Sequence, residues 1–139
     1  MKDSITASWK KKMAFEVEVA GHKIMIDATD NVGGENRGPQ PKPMMLVALG
    51  GCTAMDVISI LTKMRVELDD FQVKVEGDLT EEHPKHFHKM KVIYEFTGKN
   101  LPMEKLKKAI SLSEERYCGV SESYRKAMEL SSEIIVHES

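Results

Sequence analysis

Along the chain the spacing of apolar and polar positions changes several times, and each change marks an element. Ser4 to Trp9 reads as a short first strand. Phe15, Val17 and Val19 alternate with Glu16 and Glu18, the period-two pattern of a half-buried strand. Ala20, Gly21 and His22 form a tight turn into a further strand from His22 to Ala28, so this region predicts a β-hairpin. Asp30 to Lys42 holds three glycines and two prolines and reads as a loop, long enough for a compact domain that it is a place for function.

From Met44 to Arg65 there is no proline and Leu, Met, Ala and Ile are dense, which predicts a long helix with Pro43 in its first turn. Its apolar residues, among them Leu46, Val47, Leu49, Met55, Val57, Ile58, Leu61 and Met64, fall on nearly every side. A helix apolar all round is buried in a core or in a subunit interface. Ala48, Gly50, Gly51 and Ala54 add a small-residue face, which predicts close approach by another backbone. Phe71, Val73 and Val75 alternate with polar residues, as do Met90, Val92, Tyr94 and Phe96, giving two strands that pair across a turn near His83-Pro84. Asn100-Leu101-Pro102 opens a second helix to about Tyr117, with Leu106, Ala109 and Ile110 on its buried side and Cys118 at its end. Ser121 to Leu130 reads as a short helix, and Ile134 and Val136 as a last strand. The order β-β-β-α-β-β-α-(α)-β is an α+β arrangement, expected to form one domain over residues 1–139.

Composition narrows the function classes. With 41% hydrophobic and 30% charged residues the chain is globular in type, and a net charge of −2 with no basic stripe makes nucleic acid a poor partner. Met1 to Lys12 has no apolar core, and Met44 to Met64 is interrupted by Asp56, Thr62 and Lys63, so neither reads as a signal peptide or a membrane span. The expected location is the cytoplasm, with no membrane partner. Thiols there are held reduced, so a cysteine pair is more often catalytic, sensing or metal-binding than structural.

The chain has two cysteines, Cys52 and Cys118, 66 positions apart. On spacing alone each is a small buried hydrophobe. His83, His86 and His88, with Glu81 and Glu82 near, read as a solvated hairpin edge in preference to a metal site, because no cysteine is nearby and no third ligand is fixed. The ten methionines read as adaptable core filling in preference to a dedicated apolar pocket.

The segment from Gly38-Pro39-Gln40-Pro41 through Ala48-Leu49-Gly50-Gly51-Cys52 to Val57 resembles the OsmC/Ohr family, the osmotically inducible protein C and organic hydroperoxide resistance proteins. In that family the first cysteine follows a Gly-Pro-x-Pro loop and an Ala-Leu-Gly-Gly run, and the second lies in a Cys-x-Val/Ile-Ser context, which Cys118-Gly119-Val120-Ser121 resembles. The resemblance implies an intertwined homodimer, with two long central helices packed against sheets from both chains. It also implies a thiol peroxidase reducing organic hydroperoxides, with Cys52 peroxidatic, Cys118 resolving, no metal or organic cofactor, and a dithiol reductant. One departure stands out. Where the family carries a Glu nine residues before the first cysteine, paired with an arginine, this chain has Pro43, and the first hairpin offers Lys10, Lys11 and Lys12 in place of that arginine.

Peroxide reduction needs a thiolate that becomes a sulfenic acid and then condenses with a second thiol. A thiol with a pKa of about 8.5 is mostly protonated at neutral pH. Cys52 lies well inside its helix, where the dipole is weak, so a cation is required. Arg37 in the long loop and Arg116 beside Cys118 are the candidates, Arg37 foremost because its loop leads into the Cys52 helix. Two readings follow: an enzyme of oxidative stress defence using Cys52 and Cys118, or a non-enzymatic dimer that binds an apolar or electrophilic small molecule or senses redox state.

Overall fold

The computed structural model describes residues 1–139 and divides between Met45 and Leu46, in the first turn of the long apolar helix, into an N-terminal and a C-terminal unit. The N-terminal unit is an antiparallel sheet of β1 (Ile5–Trp9), β2 (Phe15–Val19) and β3 (His22–Ile26), in that spatial order. Ala20 and Gly21 alone connect β2 to β3, with φ of 47° and 82°. Two left-handed residues give the hairpin turn whose twist matches that of the strands, and glycine meets this at no steric cost. Phe15 thereby pairs with Ile26, and Val19 with His22.

β3 stops at Ile26, short of the expected Ala28, because the next residue turns inward. The buried carboxylate of Asp27 accepts the backbone N–H groups of Ala28 at 2.7 Å, Arg37 at 3.1 Å and Glu35 at 3.2 Å. The guanidinium of Arg37 stands 3.5 Å from the same carboxylate. The long loop, which includes a single 3-10 turn at Asp30–Val32, is thus gathered around one side chain. Burial opposes the charge on Asp27, but the three N–H donors and Arg37 outweigh it and hold the carboxyl below the ordinary carboxylate range.

The C-terminal unit is a second three-stranded sheet, β4 (Asp70–Leu79), β5 (Phe87–Gly98) and β6 (Glu129–Glu138), in the order β4-β5-β6. β4 and β5 form the antiparallel hairpin expected across His83-Pro84, and β6 runs parallel to β5. Three helices complete the unit: α1 (Met44–Lys63), α2 (Met103–Leu112) and α3 (Gly119–Arg125). Alternate residues of β5, namely Met90, Val92, Tyr94 and Phe96, are buried, and Phe71 stacks on Phe96 with ring centroids 4.8 Å apart. α2 buries Leu106, Ala109 and Ile110, as its periodicity predicts. The architecture is α+β with the expected order of elements.

α1 buries a single stripe, Leu49, Thr53, Val57 and Leu61, at steps of four residues. Close approach occurs at Gly50, where a Cβ would lie 2.9 Å from Cγ2 of Val75 in β4, whereas Gly51 faces open space. The neighbour is therefore a side chain of the sheet and not a second backbone. Length and composition alone would allow α1 to cross a membrane. Its inner stripe serves the core, and Asp56 stands near its middle. On the other side Val47, Met55 and Ile58 are 60%, 73% and 42% exposed.

Two expected boundaries shift. The second helix ends at Leu112 and passes into a π-helical turn, Ser113–Tyr117, before Cys118. The last helix ends at Arg125, and β6 already begins at Glu129, because its whole length pairs with Lys89 to Gly98 of β5. Ser131 and Ser132 hide the strand from a hydrophobicity pattern.

Asp27→Asn keeps the volume but turns an amide NH₂ toward N–H donors that need an acceptor. The melting temperature is expected to fall at neutral pH. A depressed carboxyl pKa contributes stability above the unfolded value of about 3.9, and that stability is lost as pH falls through the folded value. Thermal scans should therefore show the gap between wild type and variant closing toward about pH 2, and a constant gap would rule out the charge as its source.

Candidate thiol site

The last turn of α2 is the device that brings the two cysteines together. The backbone N–H of Cys118 donates to the carbonyl of Ser113 at 2.7 Å, a five-residue reach that closes the π turn. The Ser113 hydroxyl donates to Oδ2 of Asp56 at 3.0 Å, tying the turn to α1. The Tyr94 hydroxyl donates to Oε2 of Glu114 at 2.7 Å, tying it to β5, and Arg125 donates to the Glu114 carbonyl at 2.8 Å. With the turn pinned on both sides, Cys118 caps α3 and its sulfur accepts the Ser121 N–H at 3.3 Å.

The sulfurs of Cys52 and Cys118 share a hydrogen bond at 2.8 Å, and both cysteines are free thiols. The two cysteines whose flanking motifs resemble a pair are in contact in the fold. Cys118 is buried and Cys52 is partly exposed, so the pair is reached from the Cys52 side.

Burial pushes the Cys52 thiol up, to about 11. The hydrogen bond with Cys118 adds to this, the Val120 backbone N–H opposes it, and the charges of Cys118 and Asp56 raise it further. None of these groups is a cation. Arg37 belongs to the N-terminal unit and is engaged there by Asp27, by Glu35 at 3.7 Å and by the Lys10 carbonyl at 2.9 Å. Arg116 is exposed on the π turn.

Asp56, Ser113, Tyr94 and Glu114 complete the site without a motif that marks them. Asp56 alone carries a signal in the sequence: a lone acid in an apolar helix, four residues after Cys52 and so on the same face. Burial raises the pKa of Glu114, opposed by its hydrogen bonds from Tyr94 and Ser132 and by the charge of Arg125. Burial and the Glu114 charge likewise push the Tyr94 hydroxyl up, so Tyr94 remains a donor. Beside Asp56 a cleft of 600 Å³ is lined by Ile60, Met64, Leu112 and Tyr117 among others. The histidine cluster lines a separate surface depression, where Nδ1 of His86 lies 2.8 Å from the Pro84 carbonyl.

A profile of the OsmC-like protein family matches residues 33–133. Protein YhfA of Escherichia coli K12 is 35% identical over 123 residues, covering 88% of this chain and 89% of YhfA. Among solved structures, a hypothetical protein from Aquifex aeolicus VF5 superposes with a TM-score of 0.87 at 25% identity, over 100% of this chain and 98% of that one. The organic hydroperoxide resistance protein OhrB of Bacillus subtilis shares the fold with a TM-score of 0.66 at 14% identity, over 96% and 98% of the two chains.

Because the Asp56 charge disfavours a thiolate at Cys52, Asp56→Asn should lower the Cys52 pKa. Iodoacetamide alkylation followed against pH, in a Cys118→Ala background with and without Asp56→Asn, measures this. The alkylation midpoint should move to lower pH when Asp56 is neutralised; an unmoved midpoint would remove Asp56 from the thiol's electrostatics.

Proposed function

The chain belongs to the OsmC-like family, and from that membership we propose that it is a thiol peroxidase acting on organic hydroperoxides in oxidative stress defence. The observation that carries this reading is the contact of the Cys52 and Cys118 sulfurs at 2.8 Å, with Cys52 the accessible member. The Cys52 thiolate attacks the outer oxygen of the hydroperoxide, the O–O bond breaks, and an alcohol leaves with the proton it needs. The resulting sulfenic acid condenses with the Cys118 thiol to give a disulfide and water. A dithiol reductant then supplies two electrons and two protons to restore both thiols. The cleft beside Asp56, lined by Ile60, Met64, Leu112 and Tyr117 with Lys63 at its edge, is suited to an apolar tail.

The weak point of a single chain is the missing cation. Pro43 stands where the family's Glu would hold an arginine, and the groups acting on Cys52 push its pKa to about 11. We place the activating charge in a homodimer, supplied by Arg37 or by the partner subunit's Arg116. The exposed face of α1 at Val47, Met55 and Ile58 is the surface such a dimer would cover. The same high thiol pKa favours the second reading, a cytoplasmic dimer that binds an electrophilic or apolar molecule without turnover.

Cys52→Ser should reduce hydroperoxide turnover to background, while Cys118→Ser should leave Cys52 able to react once and then over-oxidise. Mass spectrometry after one equivalent of cumene hydroperoxide distinguishes the two; oxidation at Cys118 alone would reverse the roles. Arg37→Met or Arg116→Met should raise the Cys52 pKa and slow the reaction together; unchanged profiles in both would overturn the cation model, and a Cys52 that does not ionise below about pH 9 would favour the binding reading.

The dimer has its own test. Gly51 is open in the isolated chain, so Gly51→Ala should stabilise a monomer by up to about 1 kcal/mol through helix propensity. With a partner seated on that face, the added methyl should weaken association in sedimentation. A folded wild-type monomer at micromolar concentration would overturn the dimer.

A further inference from the structure

We propose that Cys52, Cys118 and Asp56 together form a binding site for a thiophilic divalent cation, with Zn²⁺ its fitting occupant. The site uses the two sulfurs of the peroxidase reading, but it does not rest on their redox cycling.

The geometry comes first. The two sulfurs and a carboxylate oxygen of Asp56 all lie within 4.8 Å of one another. Cys52 and Asp56 are one turn apart on the same face of α1, and Cys118 reaches them from the start of α3. Two sulfurs bound to zinc at about 2.3 Å lie about 3.8 Å apart in a tetrahedral site. The observed 2.8 Å must therefore open by about 1 Å, a movement within reach of a rotamer adjustment at the partly exposed Cys52.

The donors are already oriented from behind. The Ser113 hydroxyl holds Oδ2 of Asp56, and the Ser121 N–H points at the Cys118 sulfur. Such outer hydrogen bonds fix ligand orientation at metal centres. Two thiolates and one carboxylate favour zinc over magnesium or calcium, which prefer all-oxygen sites. Three protein ligands leave a position for water.

The charge balance points the same way. A dication placed among three groups that can all become anionic is matched by them, and binding displaces the thiol protons into solvent. Metal-bound sulfurs would be withheld from peroxides and alkylating agents.

Titration of the reduced full-length chain with Co²⁺, followed by displacement with Zn²⁺, tests the site in the absence of any peroxide. One metal per chain, a thiolate-to-cobalt charge-transfer band, and release of about two protons per metal in calorimetry are expected. Cys118→Ser should cut the band at least by half, because one thiolate at most remains. Asp56→Asn should weaken zinc by at least the roughly 10–100-fold typical of changes to outer hydrogen bonds, and Asp56→His, which restores a nitrogen ligand, should recover most of that loss. No band in the wild type, unchanged zinc affinity in Asp56→Asn, or one metal per two chains would each overturn the assignment. These readouts are independent of hydroperoxide turnover, so an inactive enzyme that binds zinc and an active enzyme that does not are both recognisable outcomes.

Discussion

The π turn at Ser113–Tyr117 is the constraint on which the thiol site depends. An α-helix continued from Leu112 would close its hydrogen bonds four residues back and carry the following residues round with a different phase. Here Cys118 bonds five residues back, to the Ser113 carbonyl. A wide turn of this kind is usually less favourable than an α turn, and it persists because side chains hold it from both sides. Ser113 is bound to Asp56 of α1, and Glu114 to Tyr94 of β5. The anchors stand on α1 and β5, and Tyr94 and Ser113 are themselves fully buried, so the position of Cys118 relative to Cys52 is set by packed side chains.

That arrangement has an electrostatic consequence. The residue that anchors the turn to α1 is an acid, and it lies one helical turn from Cys52. The anchor therefore works against the ionisation of the thiol beside it. A thiol nucleophile needs the opposite. Within one chain the positioning of the sulfur pair and the activation of Cys52 make contrary demands, and positioning wins. No positive charge is among the groups that act on Cys52 to offset this.

Much of the fold was legible because its elements obey simple periodicities. β2, β4 and β5 alternate cleanly, and Leu106, Ala109 and Ile110 mark the inner side of α2. The cysteine pair was legible only through the resemblance of its flanking motifs, since 66 intervening residues carry no geometric information by themselves. What escaped was set by tertiary contacts. The π turn has no composition that distinguishes Ser113–Tyr117 from the end of an ordinary helix. β6 starts with polar residues and is a strand because β5 offers it a parallel edge along its whole length. Asp27 looked like one polar residue among many at the start of a loop, yet it organises that loop by accepting three backbone N–H groups.

α1 shows why a pattern apolar on all sides is ambiguous. Its inner stripe, Leu49, Thr53, Val57 and Leu61, is completely buried, and Thr53 satisfies its hydroxyl by donating back to the Leu49 carbonyl at 3.0 Å. That stripe accounts for one face only. Val47, Met55 and Ile58 lie outside it and remain in solvent, at a cost of about 25 cal/mol for each Å² of apolar surface left uncovered. A single chain gains nothing from large apolar residues at those positions. Gly51 among them lowers helix propensity while touching nothing in its own chain. Apolar bulk and a bare backbone position on the same face make physical sense together when another surface packs there, the bulk supplying contact area and the glycine allowing close approach. Within the chain α1 closes one interface, its inner stripe, and leaves the face of Val47, Gly51, Met55 and Ile58 uncovered.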